Sequence, residues 1–165
     1  MEKTVIILGS SRSDGDTAKV VQQLQQIIGC GMVDLNDYAI SYYDYKHANK
    51  DDDFLPLMKH IIQEYQNIIV ATPVYWYTMS GILKVFFDRI SDLLTIEKEI
   101  GRQLRGKGFG AMSCSLDSTV EDVFWHPFKS TAGYLGMTYL GNIHVDTLDC
   151  QQLLEGFVKE MNVGN

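Results

Sequence analysis

Thr4-Val5-Ile6-Ile7-Leu8-Gly9-Ser10-Ser11-Arg12-Ser13-Asp14-Gly15-Asp16-Thr17 is the stretch on which the fold turns. Its opening five residues run without polar alternation. That is the pattern of a strand buried on both faces of a parallel sheet, since a strand with one wet face would alternate. A polar loop with two glycines follows, from Gly9 to Asp16. Val20, Val21, Leu24, Ile27 and Ile28 then recur at helical spacing until Gly29 ends the run. Strand, loop and helix are the repeating half of a βαβ unit.

The unit recurs downstream. Met32 to Leu35 reads as a second strand, and Pro56 opens a helix carrying Leu57, Met58, Ile61, Ile62 and Tyr65. Ile68 to Ala71 is a third strand leading into a loop at Thr72-Pro73. Ser80 to Leu94 predicts one helix, with Ile82, Leu83, Phe86, Phe87, Ile90, Leu93 and Leu94 on a wide apolar face. Gly108 to Ser113 is a fourth strand, and Val120 to Leu135 a helix interrupted or distorted at Pro127. Tyr139 to Val145 is the fifth strand, and Leu153 to Met161 the last helix. The tyrosine-rich stretch Tyr38 to Tyr45 takes no assignment. Five strands alternating with five helices imply an α/β fold with a parallel sheet covered on both faces. No repeat or linker divides the chain, so residues 1–165 are expected to form a single domain. Ligands of such sheets sit at the carboxyl ends of the strands, which points to the loops after strands one, three and four.

Composition narrows the partners. The formal net charge is −7 and no Lys/Arg cluster occurs, so neither nucleic acid nor an anionic membrane surface is expected. No apolar run approaches the roughly 20 residues that span a bilayer, and Met1-Glu2-Lys3 precedes a strand rather than a signal-peptide core. Cys30, Cys114 and Cys150 are far apart, without metal-ligand spacing. A sparse, odd set suits a reducing compartment, and the cytoplasm is the default expectation. No metal site is expected.

The first loop carries hydroxyls, one arginine and two glycines at a helix start. Unpartnered backbone N–H groups and the helix dipole favour an anion there, and Arg12 would add a planar charged donor. The competing reading is a capped surface turn with Asp16 as N-cap and Arg12 solvated. A Walker loop is excluded, because Gly15 falls one residue late and Asp16 stands where lysine is required. A monophosphate therefore suits the loop better than a triphosphate. Asp14 and Asp16 oppose an anion unless their carboxylates turn away. In the third-strand loop, Thr72-Pro73-Val74-Tyr75-Trp76-Tyr77-Thr78-Met79-Ser80-Gly81, three consecutive aromatics offer a surface for a planar heterocycle. Packing in a dimer contact or under a neighbouring loop is the alternative.

Together, Gly9-Ser10-Ser11-Arg12…Gly15-Asp16-Thr17 and Thr72-Pro73-Val74-Tyr75-Trp76…Ser80-Gly81-Ile82-Leu83-Lys84-Val85-Phe86-Phe87-Asp88-Arg89 resemble the NAD(P)H-dependent FMN reductases. Asp52-Asp53-Phe54 is similar to that group too. The resemblance implies a flavodoxin-like three-layer sandwich with sheet order 2-1-3-4-5. It also implies bound FMN, NAD(P)H as reductant, a small-molecule electron acceptor such as a quinone or flavin, and a homodimer. By position, Ser10, Arg12, Asp16 and Thr17 would hold the phosphate, although many relatives have Asn at Asp16. Pro73, Val74, Tyr75 and Trp76 would line the isoalloxazine, with Ser113 on a third wall after strand four. Tyr43 to Lys50 contains no cysteine, so the iron–sulfur branch is excluded. No residue is required as protein acid or nucleophile, since the cofactor performs the chemistry.

Other residues have simpler readings. Lys84 and Asp88 form a one-turn surface pair, and Arg89 ties its helix to a loop or a second subunit. Cys114 lacks the C-x-x-x-x-x-R context of a phosphatase and reads as a packed thiol. His126, beside Trp125, is a packed residue or an acceptor contact. His47, His60 and His144 read as surface or edge residues without partners. Two rivals share the scaffold: an electron carrier of flavodoxin type without NAD(P)H activity of its own, and a cofactor-free binding module.

Overall fold

The computed structural model describes residues 3–163, so Met1, Glu2, Gly164 and Asn165 of the expected domain lie outside the described residues. Five strands, β1 (Thr4–Leu8), β2 (Gly31–Asp34), β3 (Asn67–Pro73), β4 (Gly108–Cys114) and β5 (Thr138–Val145), form one sheet in the order β2-β1-β3-β4-β5. Every neighbouring pair is parallel. The helices are α1 (Asp16–Ile28), α2 (Phe54–Glu64), α3 (Gly81–Arg89), the short α4 (Asp92–Thr95) and α5 (Lys98–Gly101), α6 (Asp122–Leu135) and α7 (Gln151–Val163). This is the flavodoxin-like α/β sandwich that the resemblance implied.

The unalternating apolar run of β1 is explained by two cores. Val5 and Ile7 face one layer with Ile61 of α2, Leu83 and Phe86 of α3 and Phe128 of α6. Ile6 and Leu8 face the other, with Val20 and Leu24 of α1 and Leu154 and Phe157 of α7. Successive side chains of a strand point to opposite faces, so a strand between two helical layers must be apolar throughout.

Two elements depart from the expected pattern. The helix expected over Ser80 to Leu94 stops at Arg89, where Ile90, Ser91 and Leu93 N–H groups bond Phe87, Asp88 and Ile90 carbonyls at 3.1, 3.2 and 3.0 Å. That shift to three-residue spacing tightens the chain and turns it into α4. Helix α6 is not interrupted at Pro127; the ring sits on the exposed side, where the missing N–H leaves no buried carbonyl stranded. The stretch Tyr38 to Tyr45 is irregular beyond the 3-10 turn Leu35–Asp37. A register slip between Phe109 and Gly110 moves β5 by one residue against β4 and sets Ser113 opposite His144.

Candidate functional site

The carboxyl ends of β1, β3, β4 and β5 open into a cleft of about 790 Å³, within the range of roughly 300–1,000 Å³ usual for small-molecule sites. Ser10, Arg12, Asp16, Thr17, Pro73, Val74 and Tyr75 all line it, so the first and third-strand loops do converge. Gly15, Cys114, Ser115, Leu116 and Asp117 complete one side, and Asp146, Thr147 and Leu148 the other.

The first loop is held by its neighbours. A Cβ on Gly9 would lie 2.6 Å from Leu83 Cβ, so only glycine lets the loop pack on α3. Buried Ser80 ties the two loops: its hydroxyl donates to the Gly9 carbonyl at 2.6 Å and accepts the Leu83 N–H at 3.2 Å. Its own N–H donates to Thr72 Oγ1 at 3.0 Å. From the β2 side, Asn36 Nδ2 donates to the Ser10 carbonyl at 2.7 Å and to Asp34 Oδ1 at 2.9 Å. Tyr75 Oη meets Ser11 Oγ at 3.3 Å and closes the third-strand loop onto the first.

The start of α1 is an open anion cradle. Its N-cap is Gly15, with no side-chain cap, so the expectation of Asp16 as N-cap is corrected. Asp16 is the first helical residue, and its carboxylate pairs with Lys19 Nζ at 3.0 Å. The Arg12 guanidinium folds over the N-cap, where a Cβ on Gly15 would sit 3.4 Å from Nε and Nη2. Uncapped N–H groups, a fixed dipole and a planar cation meet at one point, an arrangement that fits a phosphate monoester. Thr17 is buried, and its hydroxyl bonds the Cys114 thiol. Burial first, then Asp16, Cys150 and Asp146, push that thiol above its ordinary value, so it stays protonated near neutrality and is a poor nucleophile.

Two nominated residues stand apart from the cleft lining. Trp76 and Tyr77 form the tip of a two-residue hairpin closed by the Tyr75–Thr78 bridge. Their φ angles are 49° and 65°, and they are 91% and 83% exposed. Ser113 is fully buried beneath the cleft, with its Oγ 2.7 Å from His144 Nδ1. Sequence reasoning missed the β5–α7 wall of Asp146, Thr147 and Leu148, which carries no motif, and Asn36, whose distance along the chain from Ser10 hides its contact. His126 is exposed on α6, bonded to Ser130.

The histidines expected to lack partners divide. His60 is exposed, edge-on to Tyr65. His144 is bonded as above, and His47 Nδ1 lies 2.9 Å from Asp92 Oδ1, because both are brought to their partners by long-range packing. Asp92 in turn accepts from Arg89 Nε at 2.7 Å. Arg89 is wholly buried, bonds both Asp52 oxygens and the Ser41 carbonyl, and lies over the Phe54 ring. It therefore ties α3 to the loop before α2, one of the two roles expected of it. Lys84 and Asp88 pair at 2.6 Å on the surface.

A doubly wound parallel sheet with an uncapped helix start, an arginine and a tyrosine around one cleft at its carboxyl end has the layout of a mononucleotide-binding protein. The family model described as NADPH-dependent FMN reductase matches residues 3–146, and the chain belongs to that family. FMN as cofactor and NAD(P)H as reductant are properties of this class of oxidoreductase. A Bacillus subtilis (strain 168) protein named as an NAD(P)H-dependent FMN-containing oxidoreductase is 35% identical over 98 residues. That alignment takes in 56% of this chain and 54% of the relative, so the match spans about half of that protein's length. The NADPH azoreductase of Bacillus sp. (strain OY1-2) is 23% identical over 166 residues, covering 96% of this chain and 90% of that protein. Among solved structures, the Trp repressor binding protein of Bacillus subtilis superposes with a TM-score of 0.74 at 23% identity. It covers 95% of this chain and 96% of that one, and at that identity the likeness is one of fold.

Proposed function

We propose that the protein oxidises NAD(P)H through FMN seated in the cleft and delivers the electrons to a small acceptor such as a quinone, a free flavin or an azo compound. One observation carries the reading: the uncapped start of α1 under Arg12 lies in the same cleft as the wall Pro73-Val74-Tyr75. Ser10, Arg12, Thr17 and the first N–H groups of α1 hold the phosphate. Asp16 contributes its backbone, its carboxylate being engaged by Lys19. Pro73, Val74 and Tyr75 shape the pocket for the planar ring, and Trp76 at the hairpin tip covers its outer edge. When bound, the flavin supplies the hydride and electron chemistry, and the protein orients it and shields it from water. Ser113 acts from below the cleft rather than on its lining.

The azo class of acceptor draws support from the azoreductase relative. A homodimer belongs to the same reading, supported by the groove between the α3–α4 corner and α6, where Phe87, Ile90, Leu94 and Tyr134 lie beside Ser91, Ser130 and Thr131. No helix of the described residues is long and apolar enough to cross a membrane, and we place the protein in the cytoplasm, where its three free cysteines stay reduced. The test is anaerobic spectroscopy. Protein reconstituted with FMN should show a flavin spectrum that bleaches with NADPH or NADH and returns on adding a quinone or azo dye. Bleaching that requires a partner reductase would make the chain an electron carrier, and failure to quench FMN fluorescence at micromolar protein would make it a cofactor-free module.

A further inference from the structure

We propose that His144 is a positioning residue for the cofactor cleft: from β5 it clamps the loop after β4 that forms the Ser115–Asp117 wall, using Ser113 to fix its ring. The inference rests on the flavin reading above. The wall is weakly anchored. Leu116 is 94% exposed and gives it no apolar hold. Its remaining hydrogen bonds are the Ser115 N–H to the Val145 carbonyl at 3.2 Å, and contacts between Ser115 Oγ and Asp117 within the loop itself. Among the described residues, His144 is the one side chain outside the loop that bonds it. Nε2 lies 2.8 Å from the Asp117 carbonyl and 3.3 Å from Ser115 Oγ.

The chemistry of the partners assigns the ring. A carbonyl only accepts, so Nε2 carries the proton and donates to Asp117. In the neutral imidazole Nδ1 is then an acceptor, and Ser113, fully buried, donates its hydroxyl to it at 2.7 Å. Ser113 therefore holds the ring in the orientation that lets Nε2 reach the wall. The register slip at Phe109/Gly110 is what brings the two side chains opposite each other. Without that slip, Ile143 would stand across from Ser113. The clamp joins the β4 wall to β5, whose continuation Asp146-Thr147-Leu148 is the other side of the cleft. A loop left to move by an ångström would present a blurred pocket to a rigid tricycle.

The experiment compares FMN affinity, by quenching of free FMN fluorescence, in wild type, H144A, H144N and H144Q, with amide hydrogen exchange of residues 115–118 measured alongside. The glutamine amide reaches the position of Nε2 and can donate to the Asp117 carbonyl, whereas the asparagine amide stops near Nδ1 and meets only Ser113. H144A and H144N should bind FMN roughly tenfold more weakly, the equivalent of one lost hydrogen bond. Exchange of the loop amides should be faster in both. H144Q should recover most of the affinity and protection. A purely packing role would treat the two amides alike, so H144N matching H144Q overturns the proposal, as does wild-type affinity in H144N. If H144A does not fold, the asparagine–glutamine comparison still decides. Wild-type protein that takes up no FMN would instead overturn the flavin reading, and the clamp's role with it.

Discussion

Arg89 is the residue whose environment is most demanding. A guanidinium with no exposed surface survives only because two carboxylates and the Ser41 and Asn49 carbonyls meet it. Removing the cation strands Asp52 and Asp92 in a dry site, so Arg89→Met should lower unfolding free energy by about 3–5 kcal/mol, read from denaturant midpoints. Asp52 adds a pH signature. Burial works against its carboxylate, but the Arg89 hydrogen bonds, the Ser41 and Phe54 N–H groups and the arginine charge outweigh that and hold it below the usual range. The folded value thus lies under the unfolded one of about 3.9. The stabilisation is fully present above the unfolded value and drains away as pH falls through the folded one. Asp52→Asn should therefore be less stable than wild type at pH 7, and the gap should narrow below about pH 4. An equal gap at pH 7 and pH 3 would refute the assignment. At the cleft, Arg12→Ala should weaken FMN binding by about ten- to a hundredfold, the worth of a charged hydrogen bond. The unaltered affinity of that variant for riboflavin, which lacks the phosphate, is the control.

At the scale of elements, the hairpin after β3 breaks a local rule. Two-residue hairpins of this type demand positive φ at both central positions and take Asn-Gly, yet this one holds Trp76 and Tyr77 there. Each costs on the order of 1 kcal/mol or more. The double replacement Trp76→Asn with Tyr77→Gly should raise stability by about 1–2 kcal/mol. A shifted urea midpoint at constant slope would register the gain. In the same variant FMN binding should weaken, because the cover proposed at Trp76 is gone; stability unchanged from wild type would show that the turn carries no strain. Here also the reach of the sequence becomes clear. Strand β1 and the loop to α1 were legible because an unalternating apolar run and a glycine-bracketed polar loop each have one physical meaning. The break at Arg89 was not, since Phe86, Ile90 and Leu93 continue the helical period while the chain tightens beside a buried ion pair that reaches back to Asp52. Likewise the cradle and the Pro73–Tyr75 wall were marked by residue type, but His144 and Asn36 work through partners 31 and 26 positions away, a relation that only the packed sheet creates.

For the whole molecule the open contest is between a local attraction and a global repulsion. The chain carries a net charge of −7, and among the described residues lining the cleft Asp16, Asp117 and Asp146 stand against one cation, Arg12. FMN brings a phosphate of about −1.5 to −2 at neutral pH. Seated as proposed, the ester would touch the α1 amides and Arg12 at short range, where salt screens little. During approach it feels the summed field, which reaches about 30 Å at 0.01 M salt but about 8 Å at 0.15 M. At that distance the chain's net charge of −7, Arg12 included, sets the sign of the field, so repulsion governs the encounter and attraction governs the residence. The association rate of FMN should therefore rise several-fold as ionic strength goes from 0.01 to about 0.15 M, with a nearly constant dissociation rate. Stopped-flow quenching measures both. Riboflavin, uncharged, should associate at a rate that salt does not change. If FMN association slowed with salt instead, the cradle's local field would reach beyond the cleft mouth, and the acidic rim would have to be turned away from the path of entry.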